Sequence, residues 1–442
     1  MMSSSITKIF RIRELRKRVF FTLFMLVVYR LGSVVPIPGI DVNALKDVIA
    51  STSQNSGGID LMSYLNFFVG GAFERFSIFL LGIMPYISMS IIMQLLLLVF
   101  PKLKKISEEE GGRKKIQRYS RYGTVLVCII QALTIINYAG NEQFQEQVLR
   151  IPMAGFVAIS ILSTTCGTLL LMWMGEQITQ KGIGNGISLI IFAGIAARLP
   201  NAVKSLIDQV HAGDLNVVVL LLVMLIYIVI IALVIYEQQG QRKIPVNYAR
   251  RIVGRKVYGG QSQHIPFKIN PSGVIPVIFA SSILTFPLSF MAGSQTDWVI
   301  KLAGFFRYDG APYQILYCLL IIFFAYFYTQ VTLNPQEISK NIRENGGSIP
   351  GIRSDKIEEY LTRVLNRIIL PGSLFLAFIA VVPTIISAVF GFPAEAAMLM
   401  GGTSLLIMVG VDLDTMSQIE GHLKMHHQEG LVKKGKIRSR NL

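Results

Sequence analysis

Residues 77–94 read SIFLLGIMPYISMSIIMQ, an apolar run interrupted by Pro85 and closed by Gln94. Ile83 and Ile87 are four apart, so a helix places them on one face, and Pro85 between them removes a backbone donor and predicts a local kink. The same frame returns far downstream: Gly82, Pro85, Ile87, Ser90 and Ile92 align with Gly273, Pro276, Ile278, Ser281 and Ile283 in GVIPVIFASSI. Internal repetition within apolar sequence points to a duplicated membrane protein.

Composition agrees. Of the 442 residues 52% are hydrophobic and only 15% charged, against roughly a quarter charged in soluble domains. Apolar windows near the 20 or so residues needed to cross a bilayer predict ten spans: Val19 to Val35, Arg75 to Phe100, Tyr119 to Ala139, Pro152 to Met174, Ile183 to Val203, Leu215 to Tyr236, Pro271 to Met291, Pro312 to Leu333, Ile368 to Phe390 and Ala394 to Leu413. An even number puts both termini on one side. Most of the 42 Lys and Arg lie in residues 1–18, 100–122, 237–270, 334–368 and 414–442, and basic loops are retained in the cytoplasm, so both termini are expected there. The net charge of +16 serves topology first, and could also dock an anionic partner or acidic lipid. Cys128, Cys166 and Cys318 all fall within predicted spans and read as small apolar fillers rather than disulfide partners. The N-terminus shows no cleavable signal pattern.

Residues 1–18 can form a basic amphipathic helix on the membrane surface, or serve only as a topology anchor. Arg30 lies towards the outer end of the first span and is expected to snorkel to the interface. After VVPIPGI the chain is polar from Asp41 to Gly58, and Ile59 to Phe73 forms an apolar helix too short to span, either re-entrant and pore-occluding or interfacial. Gly70 and Gly71 would be its hinge. Gly182, Gly184 and Gly186 resemble a phosphate cradle only in spacing: no strand precedes them, and close helix approach explains them better. Two large loops stand out. Residues 237–270 are strongly basic, with alternation from Val246 to Tyr258 predicting a hairpin, and residues 334–367 carry GGSIPGIR; long loops in such a chain are contact surfaces. The tail after Gln418 is basic and polar and is expected to be mobile.

No metal-ligand, nucleophile-elbow or phosphate-loop motif occurs, and no cofactor or metal is expected. Carboxylates at mid-membrane, which an ion-coupled transporter needs, are scarce. Isoleucines at the corresponding places favour an apolar constriction that seals by excluding water.

The segments SIFLLGIMPYISMSIIMQ and WMGEQITQKGIGNGISLII, with VVPIPGID, GQRKIPVNYARR, GVIPVIFASSIL, SIPGIR and GGTSLLI, resemble the SecY family from Arg16 to about Ile419. Met89 departs from it, standing where the family usually has a small residue, and so does Lys256, an Arg in many relatives. The resemblance implies an all-α polytopic membrane protein. Ten transmembrane helices would form two pseudo-symmetric inverted five-helix halves, residues 19–210 and 211–413, around a central hourglass pore, with residues 414–442 as a basic tail. It implies a pore ring of Ile83, Ile87, Ile187, Ile191, Ile278 and Ile407, and a plug about residues 59–73 (Leu61, Tyr64, Phe67) hinged at Gly70 and Gly71. Pro85, Gln94, Pro276 and Phe286 would line a lateral gate, and Arg255, Lys256 and Arg353 would dock SecA or the ribosome. The implied function is a protein-conducting channel in the bacterial inner membrane. It would pass unfolded secretory polypeptides outward, admit signal peptides and release transmembrane segments into the lipid bilayer. SecE and SecG are the implied partner subunits, and no catalysis by the chain itself is expected. The rival reading is a secondary transporter with inverted repeats; an intramembrane protease would need a catalytic set in the spans that is not seen.

Overall fold

The computed structural model describes residues 12–45, 69–138, 148–213, 215–248, 251–253, 256–258, 262–292, 297–306, 310–392, 396–397 and 401–433. Plug residues Leu61, Tyr64 and Phe67, and docking residue Arg255, lie outside them. Two compact units emerge: one comprises Met1–Lys204, Thr285–Gly304 and Ile407–Leu442, the other Ser205–Leu284 and Phe305–Leu406.

The architecture is helical. In chain order it runs α1 (Arg13–Gly32), α2 (Met84–Val99), α3 (Pro101–Glu108), α4 (Gly112–Tyr138), α5 (Met153–Lys181), α6 (Gly186–Ala196), α7 (Leu199–Ala212) and α8 (Val217–Gln239). Strands β1 (Gln241–Tyr248), β2 (Arg251–Val253), β3 (Lys256–Tyr258) and β4 (Ser262–Lys268) follow, then α9 (Ile275–Ala292), α10 (Asp297–Phe305), α11 (Ala311–Thr332), α12 (Pro335–Glu344), β5 (Gly347–Ser348), α13 (Ile357–Phe390) and α14 (Gly402–Lys433). A helix lies on each of the ten predicted spans. Among the described residues five helices are long and apolar enough to cross a membrane, or six if α2 and α3, bent by 107°, count as one. Among the rest, α1 begins in basic sequence, α2 has 16 residues, and the polar second half of α14 dilutes its apolar start.

Three expectations change. Pro85 does not kink a long helix: residues 70–83 run as turns, and Pro85 sits in the first turn of α2. There its missing N–H has no intrahelical partner to lose. Of the basic stretch 1–18, residues 1–11 lie outside the described residues, and Arg13 to Arg18 form no separate helix but open α1, which continues into the span. The chain beyond Gln418 stays helical to Lys433. Of the cysteines, Cys128 is a buried filler as predicted, whereas Cys166 is exposed.

In the first unit, one core gathers Ile37, Phe73, Phe76, Leu80, Leu81, Cys128, Ile136, Val148 and Phe156. Residues 35–41 clip onto it along the backbone: Ile37 N–H donates to Phe76 O (2.9 Å), Ile78 N–H to Val35 O (3.1 Å) and Asp41 N–H to Val148 O (3.0 Å). Helices α4 and α5 are joined by Glu176, which accepts both Arg121 Nη2 (2.6 Å) and Gln117 Nε2 (3.0 Å). The Met89 departure is accommodated here, because Gly123 on α4 leaves the space its thioether fills and a Cβ there would collide with it.

In the second unit the basic loop forms the predicted hairpin and more. β2 and β3 pair as its tip, and β1 and β4 pair over seven residues from Gln241↔Lys268 to Asn247↔Ser262 in the same continuing register. β5 adds to the free edge of β1 at Asn247↔Ser348 and Tyr248↔Gly347. Alternation in β1 turns Ile244 and Val246 inward. With Phe267 they share a core with Ile342 of α12, Ile349, and Ile357, Leu361, Val364 and Leu365 of α13. The two long loops are therefore one folded platform.

Candidate functional site

The repeated sequence frame folds into a repeated backbone joint. Gly82 has φ +57° and Gly273 φ +59°, the left-handed region that glycine enters without a Cβ penalty. Each closes a turn: Gly82 N–H donates to Phe79 O (2.9 Å), and Gly273 N–H to Asn270 O (3.3 Å). A helix then starts with proline in its first turn, and its first bonds correspond, Ile87 N–H to Ile83 O (3.1 Å) and Ile278 N–H to Val274 O (3.3 Å). Ile87 and Ile278 thus occupy the same place in two copies of one motif, Ile87 in the first unit and Ile278 in the second.

Of the six isoleucines expected in the ring, Ile83, Ile87, Ile191, Ile278 and Ile407 are buried and Ile187 is half-buried. All but Ile278 belong to the first unit. Ile187 and Ile191 stand on the first turns of α6, whose N-cap Asn185 accepts from Ile187 N–H (3.1 Å). Of the residues expected at a gate, Pro85 and Pro276 open α2 and α9. Gln94 lies seven residues beyond Ile87 on α2, half-buried, with its Oε1 enclosed and without a hydrogen-bond partner among the described residues. Phe286 lies on α9, one residue before Pro287.

The glycines expected to form a hinge are left-handed too, Gly70 at φ +68° and Gly71 at φ +87°. Gly70 packs on the backbone of Gly194, with no room for a Cβ. Arg30 is half-buried and its Nη1 donates to Gly70 O (3.2 Å). Arg198 pairs with Glu74 (3.0 Å) a few residues on. Nearby, Arg150 Nη2 meets Asp41 Oδ2 at 2.6 Å, and this hydrogen bond, with backbone amides of residues 43 and 44, holds the Asp41 carboxyl below its ordinary range.

The glycine loop is no phosphate cradle, because its amides are already engaged. Ile183 N–H donates to Thr22 Oγ1 (3.1 Å), Gly184 N–H to Gln418 Oε1 (2.8 Å) and Gly186 N–H to Thr179 Oγ1 (2.9 Å). A Cβ at Gly186 would strike the Gly175 carbonyl, which is the predicted close helix approach. Sequence reasoning missed Thr22, Thr179, Gln418 and Thr168, whose hydroxyl donates to Gly82 O (3.1 Å). Their only signal was a hydroxyl or amide side chain on an otherwise apolar helix.

On the platform, buried Ile349 and half-buried Ile352 anchor the SIPGIR loop and leave Arg353 exposed at its end. Arg242, Lys243 and Lys268 on the ribbon are exposed as well. Lys256 lies at the ribbon's far end, in β3.

A family model described as SecY matches residues 77–416. "Protein translocase subunit SecY" of Borreliella burgdorferi is 44% identical over 420 residues, covering 94% of this chain and 94% of that one. The protein of the same description from Escherichia coli is 42% identical over 431 residues, covering 96% and 95%. The fold is similar to a solved structure described as "The structure of a protein conducting channel", with TM-score 0.62, 18% identity and 91% of each chain covered. It is similar also to "Sec61 in the Canine ribosome-channel complex from the endoplasmic reticulum", with TM-score 0.61, 18% identity and the same coverage. With a family match over most of its length and relatives above 40% identity from end to end, the chain belongs to the SecY family.

Proposed function

We propose that this chain is the protein-conducting channel subunit of a membrane translocase, passing unfolded polypeptides across the bilayer and releasing apolar segments sideways into lipid. The observation that carries this reading is end-to-end identity with chains described as translocase subunits. Elementary physical chemistry offers a means. A ring of isoleucines would close by apolar contact alone, excluding water and ions without a polar site. Such a ring yields to an extended chain of any sequence, because no hydrogen bond must be broken to open it.

The gate would lie between the helices that start at Pro85 and Pro276, with Gln94 and Phe286 along it. A segment of about 20 apolar residues leaving that way gains the free energy of transfer into hydrocarbon. The segment ending at Gly70 and Gly71 would be the plug. Arg353, with Arg255 and Lys256, would meet SecA or a ribosome, and SecE and SecG would complete the complex in the bacterial inner membrane. Both termini and the platform would face the cytoplasm, where basic residues are retained. The chain would hydrolyse nothing itself.

A transporter reading finds little support. Glu237 is a buried carboxylate in a span, but it lies in the last turn of α8, where the helix passes into the ribbon, and not at the middle.

A photo-crosslinking residue at Ile278, with a signal-bearing chain stalled partway through export, tests the reading. Crosslinks to the middle of that chain are expected. No crosslink from Ile278, with labelling only from further probes placed at Lys243 and Arg353 in the large loops, would overturn the constriction.

A further inference from the structure

The loop between α5 and α6 is held by three other parts of the first unit, and this is more than a helix start requires. Asn185 alone caps α6. The amides of Ile183, Gly184 and Gly186 nonetheless each receive a separate side-chain acceptor, from α1, α14 and α5 respectively. Two of the acceptors are themselves fixed: the Thr22 hydroxyl donates to Arg18 O (3.0 Å) and the Thr179 hydroxyl to Gly175 O (2.9 Å). Thr22 is buried, so water cannot replace it readily. Gly184, at φ +85°, points its N–H at Gln418 in a conformation that leaves no alternative helical partner. Immediately beyond the loop stand Ile187 and Ile191, and the Ile187 side chain lies against Gly175 with no slack, a Cβ there coming within 3.3 Å. A shift of the loop would move both isoleucines with the helix that carries them.

We propose that Thr22, Thr179 and Gln418 are positioning residues for the closed constriction: by fixing the entry to α6 from three helices they set where Ile187 and Ile191 sit, and so how tightly the channel seals. The proposal rests on the assignment of those isoleucines to the ring. It predicts that seal tightness depends on acceptor atoms that are not themselves part of the ring.

The test uses the full chain with its native partner subunits in inner-membrane vesicles. Insertion is measured by immunoblot, ion leak by a fluorescent tracer, and export with a reporter whose signal sequence is defective. Gln418→Met removes the acceptor at similar length, Gln418→Glu retains one, Thr22→Val removes the buried acceptor isosterically, and Ile191→Asn perturbs the ring directly. Loss of one such bond should raise leak and defective-signal export roughly fivefold for Gln418→Met and Thr22→Val. Insertion should be normal in both, and Gln418→Glu should stay near the parent. If Ile191→Asn leaks while Gln418→Met and Thr22→Val do not, the positioning role is overturned and the ring stands. If Ile191→Asn is silent too, the ring assignment fails and takes the proposal with it. Failure of both acceptor variants to insert would make these bonds structural only and overturn it as well.

Discussion

The joints before α2 and α9 share a backbone and differ in what braces it. At Gly82 the support is long-range. Thr168 on α5 reaches its carbonyl, residues 35–37 pair with residues 76–78, and Val69 closes over the glycine. At Gly273 the support is local: Asn270 Nδ2 donates to Gly273 O (2.9 Å), and Asn270 Oδ1 accepts from Ser272 (2.9 Å), within a single buried turn. Nothing lies within 4 Å of a Cβ placed on Gly273. Duplication kept the frame that sets the isoleucine and let each copy find its own fastening. The first joint is therefore coupled to its whole unit, and the second carries its support with it.

Alanine at each glycine should separate the two most clearly. A left-handed φ costs any L-residue about 1–2 kcal/mol. Gly82→Ala must also push Val69, at 3.3 Å, aside, and overpacking adds about 1–3 kcal/mol. Gly82→Ala should then lose about 2–5 kcal/mol and Gly273→Ala only the first 1–2, read as thermal unfolding midpoints in detergent. Equal losses would break the asymmetry. Next in size is the fastening itself. Asn270→Ala leaves the Gly273 carbonyl and the Ser272 hydroxyl without their partner in a buried turn, about 2–4 kcal/mol, whereas Thr168→Val strips one bond, about 1–3 kcal/mol. Hydrogen exchange should show the difference in reach. Asn270→Ala should loosen its own turn and the start of α9, while Thr168→Val should loosen residues on both α2 and α5.

The frame was legible and the fastenings were not. A shared spacing of glycine, proline and isoleucine is a property of the string, so Ile87 and Ile278 could be matched before any coordinates. Whether Pro85 lay inside a helix or opened one could not be read, because residues 76–83 are as apolar as the helix that follows and apolarity does not distinguish a turn series from a span. The ribbon showed in its alternation around Val246, but β5 has two residues, too few for any pattern, and so the union of two loops into one platform stayed hidden. Thr22 and Gln418 bond amides 161 and 234 residues away, and no local signal encodes such distances.

A smaller effect tests the proline reading. Pro85→Ala and Pro276→Ala should each cost less than about 1 kcal/mol, the conformational entropy proline removes from the unfolded chain. A proline at a helix start sacrifices no hydrogen bond. A kinking proline in mid-helix would behave otherwise: replacing it would restore an i→i−4 bond and straighten the helix, and a change of gate geometry in either variant would revive that view. Matching small losses at both joints would confirm that they start their helices alike.

The smallest effect concerns acid. The clip that braces the first joint continues to Asp41, whose carboxyl Arg150 holds below the ordinary carboxylate range, whereas Asn270 and Ser272 at the second joint do not titrate. A group whose pKa is depressed by folding binds its proton more readily in the unfolded chain, so its contribution is complete above the unfolded value. That contribution fades as pH falls through the carboxylate range towards the lowered one. Amide protection in residues 35–41 and 76–80, corrected for intrinsic exchange, should therefore decline on acidification before that of residues 270–278. Arg150→Gln should bring about the same loosening at neutral pH and leave little further change on acidification. Because the pair is exposed and screened by salt, the effect should shrink as ionic strength rises. Parallel decline at both joints would mean that acid acts through some other group, and that the clip is not what braces Gly82.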